Sequence, residues 1–245
     1  MDRLDRLRDE VKSSPLPRHI GIIMDGNGRW AQQHNLKRIS GHKAGTESIR
    51  KIVEIARAID LEYLTVYAFS TENWGRSKTE VSYLLKLIMD SLNKEIEELT
   101  KNNVCIRFIG SEKELSSSYN KKVIETCKKS WDNDGLRLNI AMNYGSRREI
   151  SDAVKKIYRK IEDKEISIDD FSEELISEHL YTSGMPDPEL IIRTSGEQRL
   201  SNFLIWQSAY AEFWFTKTLW PDFSKEEFLQ AISEFQTRSR RFGKR

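Results

Sequence analysis

Cysteine, proline and long apolar runs are all scarce in this chain of 245 residues, and each scarcity excludes a class of protein. Its 2 cysteines, Cys105 and Cys127, have neither the spacing of a metal site nor the density of a disulfide-stapled secreted domain. We therefore expect two reduced thiols in a cytoplasmic protein. Because only 5 prolines occur and no linker rich in glycine, proline or serine interrupts the sequence, we expect one domain over residues 1–245.

Composition also argues against a membrane span and a nucleic-acid partner. No segment approaches the roughly 20 consecutive apolar residues of a transmembrane helix, and the first residues lack the apolar region of a signal peptide. The 40 basic and 38 acidic residues leave a net charge of only +2, so anion binding must be local. In the N-terminal segment, residues 1–17, an apolar helical stripe of Leu4, Leu7 and Val11 docks on the protein itself or, alternatively, touches lipid.

Apolar runs rich in Ile, Leu and Val alternate with segments of helical period, which predicts an α/β fold with a mostly parallel sheet flanked by helices. The expected strands span residues 19–24, 63–69, 104–110, 136–145, 189–196 and 211–215. Helices are expected around 49–59, 80–100, 147–162 and 224–240. Six strands suit one open sheet.

The segment 80–100 carries an unusually wide apolar stripe, formed by Val81, Leu84, Leu85, Ile88, Met89, Leu92, Ile96 and Leu99. Packing against the core is the ordinary explanation of such a stripe. The alternative is that part of it forms the wall of a site for an apolar ligand.

Three polar loops follow predicted strands: DGNGR at 25–29, STENWGR at 70–76 and RTSGEQRLS at 193–201. In open parallel sheets, ligands bind beyond the carboxyl ends of the strands, where such loops converge. The first loop matches neither a Walker A sequence nor the dinucleotide fingerprint, and taken alone it is compatible with an ordinary turn. The three loops together indicate a site for an anion at one edge of the sheet.

Asp25 is the most informative residue of the first loop. Gly26 and Gly28 permit close approach of the backbone to a phosphate, and Arg29 offers a bidentate contact. A carboxylate beside a phosphate is electrostatically unfavourable unless a cation lies between them, which suggests Mg²⁺. The candidates for a second carboxylate are Glu72, Glu197 and Glu212, among which sequence spacing does not choose.

Arginines in the predicted loops would neutralise diphosphate groups, with hydroxyl groups as further donors. The candidates are Arg38, His42, Arg76, Arg193, Arg199, Ser70 and Ser201. Arg193 stands out because it ends the apolar strand ELII, where a charge is costly unless an anion meets it.

With these residues in view, the chain strongly resembles the cis-prenyltransferases, in particular the bacterial branch that makes undecaprenyl diphosphate. The resemblance rests on the blocks HIGIIMDGNGRWA, RISGHKAG, LTVYAFSTENWGR, NYGSRREI, PDPELIIRTSGEQRLSNFLIWQSAYAEFWFTKTLWPDF and RRFG, in the order and spacing of that family. Two positions depart from the family's pattern, because Ser146 stands where a second glycine is common and Ser77 where a proline is common.

The resemblance implies a Mg²⁺-dependent condensation of an allylic diphosphate, typically farnesyl diphosphate, with successive isopentenyl diphosphates. Each new double bond is cis, and the product is a long polyprenyl diphosphate that serves as precursor of the cell-wall lipid carrier. The family's architecture implies an apolar tunnel between sheet and helices and a homodimer in which the C-terminal segment 224–245 faces the partner. It also implies peripheral membrane contact for product release and no nucleic acid.

Individual residues acquire roles from the same resemblance. Asp25 and Asn73 match catalytic positions, Asp25 and Glu212 match the metal-associated carboxylates, and the family assigns proton acceptance at the position of Asn73. Because a carboxamide is a poor base, a diphosphate oxygen or a water held by Asn73 is our preferred acceptor. The substrate-binding positions are Gly26, Asn27, Gly28, Arg29, Trp30, Arg38, His42, Ser70, Thr71, Glu72, Trp74, Arg76, Arg193, Arg199, Leu200 and Ser201.

Two alternative functions were weighed against this one. A phosphate-loop hydrolase would need a nucleotide-binding lysine that the sequence does not supply. A non-catalytic prenyltransferase-like subunit, which binds lipid or stabilises a partner, would be expected to lack several of the diphosphate-binding residues. This chain keeps the full set of Asp25, Arg29, Arg38, Arg193, Arg199 and Ser201.

Overall fold

The computed structural model describes residues 2–239. Its strands are β1 (His19–Ile23), β2 (Tyr63–Ser70), β3 (Cys105–Ile109), β4 (Arg137–Tyr144), β5 (Leu190–Arg193) and β6 (Glu212–Phe215). Its α-helices are α1 (Arg3–Lys12), α2 (Asn27–Gln33), α3 (Arg38–Ala58), α4 (Lys78–Lys101), α5 (Ser117–Lys129), α6 (Ser146–Glu162), α7 (Glu173–His179) and α8 (Lys225–Thr237). Short 3-10 helices span Thr71–Gly75, Ile168–Asp170 and Trp220–Asp222.

The six strands form one sheet in the order β3-β4-β2-β1-β5-β6, which confirms the predicted α/β class. Every strand pair is parallel, so the sheet is fully parallel where the sequence predicted a mostly parallel one. The chain leaves β1 toward β2 on one side and later returns to place β5 on the other. The carboxyl end of β1 is therefore a topological switch point, the usual place for a ligand in such sheets.

Side chains alternate between the two faces of the sheet along each strand, and both faces are buried. Leu190 and Ile192 of β5 belong to the main core, which also contains residues of α3, α4 and α8, whereas Ile191 packs on the other face with Phe203. The N-terminal helix α1 docks on the protein itself. Val11 is fully buried, and its carbonyl accepts a hydrogen bond of 2.8 Å from the side chain of Gln236 in α8.

Several boundaries differ from the predicted ones for local reasons. The strand predicted to reach residue 196 ends at Arg193, because Ser195 and Gly196 adopt φ angles of 79° and 77°. Helix α3 begins at Arg38, well before the apolar pattern that starts at Ile49. Helices α5 and α7 were not predicted, because α5 buries only Thr126 fully and α7 buries no residue, so neither has a clear apolar stripe.

The described residues include both cysteines and the helices that were examined for length and apolar character. Cys105 and Cys127 are both free thiols, as predicted. Between residues 2 and 239, no helix combines the length and the apolar character that crossing a lipid bilayer requires. The predicted tail motif RRFG, at residues 240–243, lies outside the described residues.

His19 opens β1 as a buried, fully hydrogen-bonded histidine. Its Nδ1 lies 2.7 Å from the carbonyl oxygen of Pro186, to which it must donate, so its Nε2 accepts from the Thr65 hydroxyl at 2.6 Å. The side chain of Asn139 in turn donates to the Thr65 oxygen at 3.0 Å. Burial lowers the pKa of His19 to about 4, because the neutral ring fits this network and a charged ring does not.

We expect His19 to make the protein acid-sensitive. The unfolded chain protonates His19 near pH 6.5 and the folded chain only near pH 4, so the free energy of unfolding falls as the pH drops through this window. Between pH 7.5 and pH 5 the loss from this residue is on the order of 2 kcal/mol. Urea unfolding at both pH values measures it. The variant His19→Gln should show a smaller pH dependence, and His34→Asn, at an exposed position, should behave as wild type. An equal pH dependence in His19→Gln would contradict this assignment.

Candidate active site

The centre of the polar edge is an ion pair between the loop after β1 and the end of β5. Ile23 and Arg193 are neighbours in the sheet register, so Asp25, two residues further on, reaches the guanidinium. The Nη2 of Arg193 donates to Oδ2 of Asp25 at 2.9 Å. The Arg193 side chain is 3% exposed, whereas the Asp25 side chain is 34% exposed and thus open to a ligand.

Arg193 also holds the loop that follows its own strand. Its Nη1 donates to the Ser201 hydroxyl at 2.7 Å and to the carbonyl oxygen of Arg199, while its buried Nε has no partner among the described residues. Burial raises the pKa of the Asp25 carboxyl, but the hydrogen bond and charge of Arg193 outweigh this and hold the pKa below its usual value. Asp25 is therefore an anion at neutral pH.

Of the two glycines in the DGNGR loop, Gly26 has a positive φ angle and Gly28 lies in helix α2. Gly26 has a φ angle of 112°, and its N–H donates to Oδ1 of Asp25 at 2.8 Å. A Cβ atom added at Gly28 would lie 3.3 Å from Nε of Arg38, so the loop runs close to this arginine. At Gly41 in α3, an added Cβ would lie only 1.9 Å from the carbonyl oxygen of Asn27, so α3 and the loop are packed backbone to backbone.

Arg29 connects Asp25 to the loop after β5. Its guanidinium donates to the Ser195 hydroxyl at 2.6 Å and lies 3.2 Å from a carboxylate oxygen of Glu197 and 3.8 Å from one of Asp25. Glu197 in turn pairs with Arg199. Of the three candidate second carboxylates, Glu197 is thus the one tied to Asp25 through a shared arginine.

Glu212 lies away from Asp25 within the chain, and its assignment to the metal stays a prediction. Glu212 is the first residue of β6 and pairs with Leu190, whereas Phe215 at the end of β6 pairs with Arg193. Three residues of strand separate the two levels by roughly 10 Å. The carboxylate of Glu212 accepts a hydrogen bond of 2.9 Å from Arg238.

A second cluster of charges lies where α4 begins. Arg38 of α3 and Arg76 share one carboxylate oxygen of Glu80, at 3.2 Å and 2.8 Å. Next to them, burial and the charges of both arginines lower the pKa of His42 to about 4, and its buried Nε2 has no partner among the described residues. His42 is therefore neutral at pH 7. Sequence reasoning missed Glu80, although its position four residues after Arg76 could have indicated the pair.

The STENWGR loop forms a short 3-10 helix closed by a capping box between Ser70 and Asn73. The side-chain oxygen of Asn73 accepts the N–H of Ser70 at 3.1 Å, and the Ser70 side chain accepts the N–H of Asn73. Trp74 anchors the loop through a hydrogen bond of 2.8 Å from its indole N–H to Asn143. Asn73 thus has a structural role in this conformation, because its side-chain oxygen caps the loop.

The remaining predicted residues lie around this edge. Glu72 accepts a hydrogen bond of 2.8 Å from Asn202, which ties the second loop to the third. An added Cβ at Gly145 would lie 2.5 Å from the hydroxyl of Thr71, so β4 also approaches the loop. Trp30 of α2 donates to Asp222 at 2.8 Å, and Leu200 packs partly buried against the core cluster of Phe203.

The two positions that depart from the family's pattern have structural roles. Ser146 is fully buried, and its hydroxyl accepts the N–H of Ile205 at 2.7 Å in the segment after β5. Ser77 is the N-cap of α4, because its hydroxyl accepts the N–H of Glu80 at 3.3 Å. Both serines support loops that border the site.

An apolar cavity of about 110 Å³ lies between α3, α4 and the sheet. Ile88 and Leu92 of α4 line it opposite Ala68 of β2 and Leu138 of β4. Leu84, in contrast, packs in a separate cluster near the STENWGR loop. Only the later part of the wide apolar stripe therefore forms the cavity wall, and the earlier part packs in the core.

Comparison with known families agrees with this geometry. The sequence model of the prenyltransferase family described as "Putative undecaprenyl diphosphate synthase" matches residues 23–243. The chain belongs to this family, and it is a cis-prenyltransferase. An isoprenyl transferase of Clostridium tetani is 51% identical over 93% of this chain and 89% of its own length. A ditrans,polycis-undecaprenyl-diphosphate synthase of Micrococcus luteus, named as specific for (2E,6E)-farnesyl diphosphate, is 50% identical over 96% and 94%.

Solved structures of cis-prenyltransferases share the fold. A lavandulyl diphosphate synthase from Lavandula x intermedia, in complex with dimethylallyl diphosphate, has a TM-score of 0.90 at 34% identity and covers 96% of this chain and 100% of its own. A protein from Campylobacter jejuni described as a "probable undecaprenyl diphosphate synthase" has a TM-score of 0.77 at 33% identity, with coverages of 94% and 100%. Since these two proteins are named for different products, the fold alone does not fix the product.

We expect Glu80 to compete with a bound diphosphate for Arg38 and Arg76. The variant Glu80→Gln removes the competing charge, so inorganic diphosphate should bind about two- to fivefold more tightly, the range expected for partly exposed ion pairs. Isothermal titration calorimetry measures the change, with Glu97→Gln on the same helix as an exposed control. Weaker binding in Glu80→Gln would contradict the competition and make Glu80 a residue that positions the two arginines.

Proposed function

We propose that the chain condenses isopentenyl diphosphate onto farnesyl diphosphate repeatedly and releases a long-chain cis-polyprenyl diphosphate, undecaprenyl diphosphate. The observation that carries this proposal is the Asp25–Arg193 pair, a half-open carboxylate beside a buried guanidinium at the switch point of the sheet. The names of the Micrococcus luteus and Clostridium tetani relatives support the proposed substrate and product. The product's use as precursor of the cell-wall lipid carrier belongs to the same proposal.

The two clusters of arginines suit two diphosphate groups. We assign the allylic diphosphate to the loop from Gly26 to Arg29 together with Arg38 and Arg76, and His42 offers a neutral polar atom there. We assign isopentenyl diphosphate to Arg193, Arg199 and Ser201. Each arginine now pairs with a carboxylate of the chain: Arg38 and Arg76 with Glu80, Arg29 and Arg199 with Glu197, and Arg193 with Asp25. A diphosphate that replaces these carboxylates brings more charge and more acceptor oxygens to the same donors.

The reaction breaks the bond between the allylic carbon and its diphosphate oxygen, forms a carbon–carbon bond to isopentenyl diphosphate and releases one proton. Negative charge develops on the leaving oxygen, where guanidinium groups already held in place stabilise it more in the transition state than in the ground state. Arg29 is held by Ser195 and Glu197, so it requires little reorganisation. Binding and orientation of two diphosphates are the main tasks of these residues.

The residues at the site fit a Mg²⁺ ion bound together with substrate. Residues 2–239 contain no cluster of three or more His, Cys, Asp or Glu side chains that could hold a metal by themselves. Mg²⁺ commonly uses one or two carboxylates and completes its shell with water and substrate phosphate. Asp25 supplies one exposed carboxylate, and Glu197 is the nearest further one by its link through Arg29. When bound, the ion would neutralise charge on the leaving diphosphate.

The acceptor of the proton is a diphosphate oxygen in our proposal. The carboxamide oxygen of Asn73 accepts the N–H of Ser70, which orients this side chain toward its own loop. Asn73 instead keeps the STENWGR loop in shape beside the substrates. This assignment agrees with the weak basicity of a carboxamide.

A homodimer belongs to the same proposal and is supported by the edge of the sheet. Among residues 2–239, strand β6 ends the sheet and has no neighbour on its outer side, and Phe213 and Phe215 stack there with ring centroids 6.0 Å apart. Nearby, Tyr210 is 72% exposed and Ile205 is 41% exposed. An apolar, unpaired edge strand is a ready template for a second copy. Peripheral membrane contact for product release completes the proposal.

The proposed activity predicts Mg²⁺-dependent incorporation of labelled isopentenyl diphosphate into a product that starts from farnesyl diphosphate. In Asp25→Asn the side chain keeps its size but loses its charge, so kcat should fall roughly 100- to 1,000-fold while KM changes much less. Products are sized after dephosphorylation, and Asp90→Asn on the exposed face of α4 is the matched control. No incorporation by wild type, or incorporation that EDTA leaves intact, would contradict the proposal.

The capping role of Asn73 predicts which of its variants remain active. If the side chain caps the loop, Asn73→Asp retains an acceptor for the Ser70 N–H and keeps kcat within about threefold. Asn73→Ala loses the cap and about tenfold in kcat, in line with the usual worth of a cap. Steady-state kinetics of both variants decide the matter. Unchanged turnover in Asn73→Ala would remove Asn73 from both roles.

A further inference from the structure

The apolar cavity ends in a group of charges. The described residues that line it are almost all apolar or small, and its two charged members are Arg50 of α3 and Glu95 of α4. A charged group is costly at the wall of an apolar site unless it is paired. These two residues therefore mark where charge interrupts the apolar lining, which Val53 and Leu99 continue beyond them.

Arg50 ties α3 to α4 at this point. Its Nη2 lies 3.0 Å from a carboxylate oxygen of Glu98, and its Nε lies 3.4 Å from Glu95 and 3.5 Å from Glu54. Arg38, twelve residues earlier on α3 and about 18 Å away along the helix, pairs with Glu80 of α4. The two helices that form the wall opposite the sheet are thus tied by an arginine near the diphosphate site and by another at the far end.

The cavity is too small for a long product. An engineered cavity of about 150 Å³ accommodates one benzene molecule. The cavity here has about 110 Å³, so a chain of many isoprene units needs additional space. The sheet wall is fixed by its ladder of hydrogen bonds, and α3 and α4 are therefore the walls that can separate.

Space of this kind lies directly behind the charges. A groove of about 350 Å³ between the two helices is lined in part by Arg50, Glu95 and Glu98. It shares Arg50, Glu95 and the apolar Val53 and Leu99 with the cavity. The charges of Arg50, Glu95 and Glu98, which we call the Arg50 partition, separate the apolar cavity from this outer groove.

We propose that the Arg50 partition sets the length of the product, which makes Arg50 a specificity-determining residue of the elongation reaction. The inference rests on the proposed function. As the apolar end of the growing chain reaches the partition, further growth must push it between paired charges and remove their water, which is unfavourable. Ion pairs that are partly exposed are individually weak, so the partition yields to a limited number of additional units.

Product sizing after farnesyl diphosphate and labelled isopentenyl diphosphate are incubated with each variant tests this inference. Arg50→Met keeps the length of the side chain and removes the charge, so the most abundant product should be longer by at least one isoprene unit. Lys51→Met removes a positive charge from the next, exposed position of α3 and should leave the distribution as in wild type. An unchanged or shortened distribution in Arg50→Met overturns the inference.

Two further variants keep the test decisive if Arg50→Met folds poorly. Glu98→Gln at an exposed position weakens the partition and should lengthen the product in the same direction, by less. The exchange of charges in Arg50→Glu with Glu98→Arg should restore the wild-type length, which a role in folding alone does not explain. If wild type makes no product, the proposed function fails. If wild type elongates and none of these variants changes the length, only the Arg50 partition fails.

Discussion

The buried guanidinium of Arg193 is the constraint on which the rest of the site depends. It ends a strand whose preceding residues are all apolar and fully buried, so its charge must be matched inside the protein. Asp25 provides the match at 2.9 Å because β1 and β5 are neighbours in a parallel register. The same guanidinium fixes the following loop through Ser201. One interaction therefore joins the first and the third polar loop.

The arginines of the site form ion pairs with carboxylates of the same chain. Arg38 and Arg76 share Glu80, and Arg29 and Arg199 share Glu197. This arrangement explains how a protein with a net charge of only +2 prepares sites for two highly charged substrates. In the proposed function each substrate would exchange an internal anion for its own diphosphate, so binding would cost less reorganisation than the assembly of free arginines. The carboxylates hold the donors in position until the exchange.

The sequence predicted the sheet and the polar edge well, because both depend on local patterns. Apolar runs identify buried parallel strands, and loops after such strands meet at one edge whatever the details of the fold. It failed where the deciding contact is distant. The place of Glu212 in the sheet is likewise not visible in the sequence, and only the register of β5 and β6 shows that it pairs with Leu190. Glu80 looked like one more charge on a helix until the fold brought Arg38 to it. The missed helix α5 carries too few buried residues for a periodic signal.

In the proposed function, the Arg193 guanidinium exchanges the Asp25 carboxylate for a substrate phosphate. A crystal structure with Mg²⁺, isopentenyl diphosphate and a non-hydrolysable analogue of farnesyl diphosphate tests it most directly. We expect an oxygen of the isopentenyl diphosphate to lie within hydrogen-bond distance of the Arg193 guanidinium. We also expect the Asp25 carboxylate to have moved from the 2.9 Å contact to a place beside the metal. An Asp25–Arg193 pair that stays intact while both diphosphates bind elsewhere would contradict the account.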